Sequence, residues 1–146
     1  MDSEDRVKAK IPLPALWAGV FVVVFGLTKA IFAFQMLLVT TVLGVAVGPL
    51  SLLALNAFDF TIGTLATVAA WFFVARRAWA GKLMKIGWVP LVFYEVGRTL
   101  GLASAGISSI ADGKGLIVSL ALLVLLISAG VCASSPASEA YIRSGT

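Results

Sequence analysis

Residues 116–134, LIVSLALLVLLISAGVCAS, run without a single charged side chain. A helix made of such a segment is apolar on every face, and at about 1.5 Å per residue it is long enough to cross a hydrocarbon core of about 30 Å. Comparable blocks occupy residues 58–80, FDFTIGTLATVAAWFFVARRAWA, and residues 86–109, IGWVPLVFYEVGRTLGLASAGISS, while residues 11–55 are apolar almost throughout. Hydrophobic residues make up 60% of the chain, charged residues 12%, and the mean hydropathy is +1.05. That composition lies outside the range of soluble domains, and the sequence predicts an all-α integral membrane protein.

The number of spans turns on residues 11–55. A single helix over that block would be about 68 Å long, roughly twice the hydrocarbon thickness. The block therefore crosses twice, giving five spans, or crosses once with a remainder packed elsewhere. With one crossing and the N-terminus inside, Arg6, Lys8, Lys10, Arg76, Arg77, Lys82, Lys85 and Arg143 all fall on the cytoplasmic side and Lys114 falls outside. Two crossings put ARRAWAGKLMK opposite RVKAK and erase that bias. The positive-inside rule favours the first arrangement: a four-helix bundle with short loops and both termini cytoplasmic, multi-pass in the cell membrane. The expected layout is a cytoplasmic tail over residues 1–10, the bundle over 11–134 and a short cytoplasmic tail over 135–146. The first helix is expected to be long, tilted or broken, with Gly44, Gly48 and Pro49 marking its outer end. Asp2, Glu4 and Asp5 are unlike a signal-peptide n-region, so the first block reads as an anchor.

Local signals fill in the connections. ADGKG, residues 111–115, reads as a tight outer hairpin, and Ser135 before Pro136 reads as an N-cap with proline at N1 of a short helix. Trp17, Trp79 and Trp88 fall near expected interfaces, and Trp71 falls deeper, where it is expected to pack.

The chain has one cysteine, Cys132, and no histidine. A histidine-ligated haem, a thiolate or imidazole zinc site, a C-x-x-C redox centre and a Ser-His or Cys-His nucleophile are all out of reach of this chain alone. The expectation is a non-enzyme with no cofactor and no metal. The formal charge of +4 and the pI near 9.6 reflect basic residues beside apolar blocks, which point to the lipid bilayer as partner and not to nucleic acid. Arg76, Arg77, Lys82 and Lys85 are candidates for fixing topology or meeting lipid headgroups.

Two charges interrupt the third span. Glu95 lies about 15 Å along a helix from Lys85, near the bilayer midplane, and Arg98 is one turn deeper. Three-residue spacing puts both on one face, close enough for an ion pair within the helix. If the first helix starts near Pro14, Lys29 is about 22 Å along it, at comparable depth, and completes a candidate cluster of Lys29, Glu95 and Arg98; if that span starts later, Lys29 is an inner-interface anchor that snorkels to water. Such a cluster either locks helix register or lines a pathway, since charges at this depth must face a bundle interior or a wet cavity. Gln35, Thr40, Thr41, Asn56 and Asp59 are the other polar residues that could line an interior, although Asp59, in NAFDFTIG, reads more like an outer-edge helix cap. Beside the charged face, Gly97, Gly101 and Ala105 form a small-residue stripe suited to close helix packing, within the bundle or between copies.

WFFVARRAWAGK (Trp71 to Lys82), VPLVFYEVG (Val89 to Gly97) and SPASEAY (Ser135 to Tyr141) together resemble a group of small actinobacterial four-span integral membrane proteins with no settled activity. The resemblance implies the four-span fold and assigns no site residue. The function expected is a non-enzymatic accessory, assembly or regulatory membrane module, as a homo-oligomer or within a larger membrane complex. The alternative is a small oligomeric transporter or ion pathway using Lys29, Glu95 and Arg98.

Overall fold

The structure, a computed structural model, describes residues 10–42, 50–104 and 113–144. These residues form long helices α1 (Leu13–Val42), α2 (Leu50–Val74), α3 (Ala78–Ser104) and α4 (Gly113–Ala133), followed by the short α5 (Pro136–Arg143), and no strand is present among them. By length and composition α1, α2 and α4 are each apolar enough to cross a membrane. The all-helical, membrane-protein character read from composition is therefore what the chain adopts. Residues 11–55 do not form one continuous helix: α1 ends at Val42 and α2 already begins at Leu50. The second helix thus starts ahead of residue 58, and the third starts at Ala78 instead of residue 86. Gly44, Gly48 and Pro49 lie outside the described residues, as do Ala111 and Asp112 of the expected hairpin, and α4 begins at Gly113.

The core is built from small side chains. Ala15, Ala18, Ala69, Ala70, Ala80, Ala129 and Ala133 are buried around Phe73, Val22 and Met84. Where apolar solvent surrounds the helices, association depends on van der Waals contact, which small residues strengthen by letting backbones approach. α1 and α2 take this furthest. A Cβ added to Gly26 would lie 2.6 Å from the Gly63 carbonyl oxygen, and one added to Gly63 would lie 2.6 Å from that of Gly26. α2 meets α3 far more sparsely than it meets α1. α4 is tied to the others by Trp88, whose ring covers Gly130, and by Trp17, whose indole N–H donates to the Ser128 hydroxyl at 3.2 Å.

The small stripe of α3 is not used in this way. A Cβ on Gly97 or Gly101 would meet nothing within 4 Å among the described residues, so these glycines bring no described helix close, and Ala105 lies outside the described residues. The closest backbone-to-backbone glycine contact among the described residues forms where two glycines face each other across helices, a pairing that spacing along one helix does not reveal. Trp71 is likewise corrected: it is 69% exposed and points away from the core that Phe73 fills.

The α2–α3 turn explains the position of α5. Arg76 has φ 59°, its N–H bonds to the Phe73 carbonyl at 3.0 Å, and the Arg77 N–H bonds to the Phe72 carbonyl at 2.9 Å. This is the Schellman closure of a helix, with an arginine at the left-handed position that glycine usually fills. The Arg76 guanidinium lies 4.6 Å from the centroid of the Tyr141 ring, and the Tyr141 hydroxyl donates to the Val74 carbonyl at 2.7 Å. Ser135 caps α5 with Pro136 at its first turn, as its sequence implies, and its Oγ accepts from the Ser138 N–H at 3.3 Å. Tyr141 and Ile142 are buried, with Ile142 against Gly81, and Lys85 pairs with Glu139. The C-terminal helix thus clamps the basic turn.

Candidate functional site: a buried charge cluster on three helices

Lys29, Asp59, Glu95 and Arg98 converge from α1, α2 and α3. The Lys29 ammonium lies 2.8 Å from Asp59 Oδ1 and also pairs with Glu95 Oε1. Asp59 Oδ2 accepts from Arg98 Nε at 2.8 Å, and Asp59 Oδ1 accepts from the Tyr94 hydroxyl at 2.8 Å. The Asp59 side chain is 4% exposed, Lys29 11% and Glu95 14%, while Arg98 at 28% lies nearer the edge. Lys29 also sits 5.6 Å from the Phe25 ring centroid and 5.3 Å from that of Tyr94, distances at which the ring faces stabilise a cation.

The backbone geometry that assembles this cluster is the Gly26–Gly63 approach. Lys29 follows Gly26 by three residues and Asp59 precedes Gly63 by four, so each charge lies one turn from the glycine on the same face of its helix. Because the helices run in opposite directions through the contact, those two turns face each other. Tyr94, Glu95 and Arg98 then approach from α3, with Tyr94 and Arg98 one turn apart.

All of the charges expected in the cluster are brought together, but their pairing differs from the expected one. Glu95 and Arg98 do not serve as each other's partner: Glu95 pairs with Lys29 on α1 and Arg98 with Asp59 on α2. Cross-helix partners win because Asp59 presents two oxygens between both cations. Asp59 is also corrected from a helix-edge cap to the hub of the cluster, buried in the interior of α2. With two cations and two carboxylates the cluster is formally neutral, and no buried side-chain nitrogen or oxygen among the described residues lacks a hydrogen-bond partner.

Two spaces flank α3 beside the cluster. A polar chamber of about 50 Å³ touches Phe25, Glu95, Arg98, Thr99, Ser119 and Leu123. On the other side, a groove of about 550 Å³ runs between α2 and α3, from Leu83 and Ala69 to Phe58 and Tyr94, with Val22 and Leu126 in its floor. Pro90 lies on this groove. Proline removes a backbone donor and interrupts the helical ladder, consistent with the sparse packing of α3 on α2 here.

The four basic residues of the α2–α3 turn and the start of α3 divide into two pairs. Arg76 covers Tyr141 and Lys85 pairs with Glu139, while Arg77 and Lys82 are exposed. The Glu139 carboxyl is held below the usual glutamate range, first by the hydrogen bond from Lys85, then by the charge of Lys85, with a smaller pull from Arg143. Comparison with protein-family models, with curated proteins and with solved structures finds no match.

Proposed function

We propose that the chain is a non-enzymatic, multi-pass module of the cell membrane, an accessory, assembly or regulatory subunit. α1, α2, α3 and α4 each cross the bilayer and both ends are cytoplasmic. The observation that carries the reading is the one-to-one neutralisation of Lys29 and Arg98 by Asp59 and Glu95. A closed, neutral ion-pair set fixes the register of three helices and leaves no charge for chemistry on a substrate. Neutralisation also lets α3, the helix with the most charges, cross the hydrocarbon region with its pairs turned inward. The basic turn between α2 and α3 and the tail that clamps it then lie on the cytoplasmic side, in keeping with the positive-inside bias.

Crosslinking in native membranes followed by mild-detergent purification tests this. A stoichiometric membrane partner or a second copy is the expected result; a strictly monomeric chain with no companion overturns it.

A second reading, a small oligomeric ion pathway, is favoured by the small chamber that Glu95 and Arg98 line together with Thr99 and Ser119. Its size suits one or a few waters. Ion flux in proteoliposomes that disappears in Glu95→Gln would establish this reading against the first.

A further inference from the structure

The charges of the cluster are neutralised, but its hydrogen-bonding capacity is not used up. Asp59 holds Lys29 and Tyr94 on Oδ1 and Arg98 on Oδ2, whereas Glu95 has Lys29 as its only side-chain partner among the described residues. Arg98 has only the Asp59 carboxylate there, and a guanidinium carries more N–H donors than one carboxylate accepts. The Thr99 and Ser119 hydroxyls have no hydrogen-bond partner among the described residues, although Thr40, Thr61 and Thr67 each donate to the carbonyl four residues back. Because no buried side-chain nitrogen or oxygen among the described residues lacks a partner, these uncommitted groups open onto space. The space that Glu95, Arg98, Thr99 and Ser119 all line is the chamber of about 50 Å³ between α3 and α4.

Its occupant must be small, accept from a guanidinium and donate to a carboxylate. Arg98 repels a bare cation and Glu95 a bare anion, while water meets both, and the volume suits about one or two waters with several polar partners each. Water beside a carboxylate can bring it a proton, and the pairing decides which carboxylate is able to take one. A proton on Asp59 would weaken the hold on Lys29 and Arg98 together. A proton on Glu95 gives up only its pair with Lys29, since Lys29 keeps Asp59 Oδ1 and Arg98 keeps Asp59 Oδ2, each at 2.8 Å. The charged and titratable groups around Glu95 are Lys29 from α1, Asp59 from α2, and Tyr94 and Arg98 from α3; the α4 residues on the chamber are uncharged.

The polar lining runs in one direction. Thr99 is about 8 Å along α3 from its end at Ser104, and Ser119 is about 9 Å into α4 from Gly113. Toward the basic turn, α3 instead gives Leu91, Trp88 and Met84 to the apolar groove.

We propose that Glu95 is a proton-binding site served by water in the α3–α4 chamber and reached from the Ser104 and Gly113 ends of those helices. The proposal deepens the ion-pathway reading by naming the ion, and it rests on α3 and α4 as spans. A hydronium in the chamber gives its proton to a Glu95 oxygen: one O–H bond forms, one breaks, water is left and no electron moves. The ion pair that ties α1 to α3 is then dissolved, while α1 stays tied to α2 through Lys29 and Asp59.

Dicyclohexylcarbodiimide adds to a protonated carboxyl within a membrane and leaves an acylurea that mass spectrometry locates. In proteoliposomes of the full chain, several-fold more label on Glu95 in acid than in alkali is expected, with Asp59 unlabelled at both. Labelling of Glu95 that is absent or independent of pH, or label on Asp59 instead, overturns the proposal. Hydration is read separately by radiolytic hydroxyl labelling. Phe25 and Leu123 on the chamber should be oxidised several-fold more than Ile62 and Leu91 on the apolar groove, and less in Ser119→Leu, which fills the chamber. Protection of Phe25 and Leu123 equal to that of Ile62 and Leu91 in the parent overturns the water assignment, whether or not the variant folds. In sealed vesicles of known orientation, acid on the side opposite the basic turn should suffice to label Glu95; labelling driven only from the basic-turn side overturns the route. Proton binding at Glu95 without proton flux in proteoliposomes supports the site and overturns the pathway reading alone. Release of the chain from membranes by carbonate overturns the spans and the sided route with them.

Discussion

Lys29 Nζ on α1 and Asp59 Oδ1 on α2 lie 2.8 Å apart, one helical turn from the point where Gly26 and Gly63 bring the two backbones together. The ion pair and the glycine contact depend on each other. Without close approach the side chains do not reach a common point, and without the pair each of these charges is left at a close backbone contact without this partner. Asp59 is the member with most partners, since Lys29, Arg98 and Tyr94 all converge on its carboxylate.

Removing Asp59 is therefore expected to cost more than removing Glu95. Asp59→Leu leaves Arg98 without its carboxylate and Lys29 with only Glu95, and breaking a buried pair in this way costs about 3–5 kcal/mol. Glu95→Gln leaves Lys29 still held by Asp59, and its cost is expected to be smaller. The double variant Lys29→Met/Asp59→Asn removes one charge of each sign and is expected to be more stable than Asp59→Asn alone. Reversible unfolding in detergent, followed by circular dichroism, measures all of these; additive effects of Lys29→Met and Asp59→Asn would show that the pair is not coupled.

Glycines on different helices are expected to differ sharply. Gly63→Leu drives side-chain atoms into the α1 backbone, where even a Cβ would be 2.6 Å from the Gly26 carbonyl oxygen. It should separate α1 from α2 and destabilise the protein by at least the about 1–3 kcal/mol typical of overpacking. Gly97→Leu projects into space empty of described residues, and a monomer in detergent should tolerate it within about 0.5 kcal/mol. Similar losses for both variants would place a neighbour against Gly97 other than the described residues.

Arg76 combines an unfavourable backbone with a favourable side-chain contact, and two substitutions separate them. Arg76→Ala loses the contact with Tyr141 and keeps a side chain at φ 59°. Arg76→Gly loses the same contact but relieves the left-handed conformation, so it should be the more stable of the two by about 1 kcal/mol. Thermal unfolding of the pair in one detergent gives the comparison; the reverse order would mean that the turn opens without the arginine.

Docking of α5 is expected to weaken in acid. Glu139 is held below the usual glutamate range, first by its hydrogen bond from Lys85. A depressed carboxyl pKa contributes stability that is fully present above the unfolded value, about pH 4 to 5, and is lost as pH falls through the folded value. Because Glu139 stands in solvent, salt should reduce the effect. Limited proteolysis of the C-terminal segment against pH is the readout: release should rise in acid for the parent and vary less with pH in Lys85→Gln, and identical profiles would assign the docking to Tyr141 and Ile142 alone.

The role of Tyr141 can be tested separately. Tyr141→Phe keeps the ring under Arg76 and removes the donor to the Val74 carbonyl, an end-of-helix acceptor. The expected loss is about 1–3 kcal/mol, the cost of leaving a buried acceptor unsatisfied. The same proteolysis assay detects it as faster release of the tail at neutral pH, and an unchanged rate would mean that water replaces the hydroxyl.

The sequence by itself determined the solvent and the element type. Long runs such as residues 116–134 must satisfy their backbone groups internally, and so the chain is helical and suited to a membrane; Ser135 and Pro136 locally encode the start of α5. It also marked Glu95 and Arg98 as residues that must turn inward, because an unpaired charge in hydrocarbon is costly at any rotation of the helix, whereas Lys29 joined them only if the first span began near Pro14. Only the tertiary structure decided who pairs with whom. Asp59 looked like a cap because nothing in its own helix partners it; it became the hub when Gly26 and Gly63 set α1 and α2 face to face. Gly97 and Gly101 carried the more familiar spacing and yet face no close neighbour among the described residues, since a glycine stripe permits close approach but does not supply a neighbour. Charge demands a partner wherever it is buried and so is readable residue by residue, whereas packing is a property of two surfaces and is fixed only when both are in place.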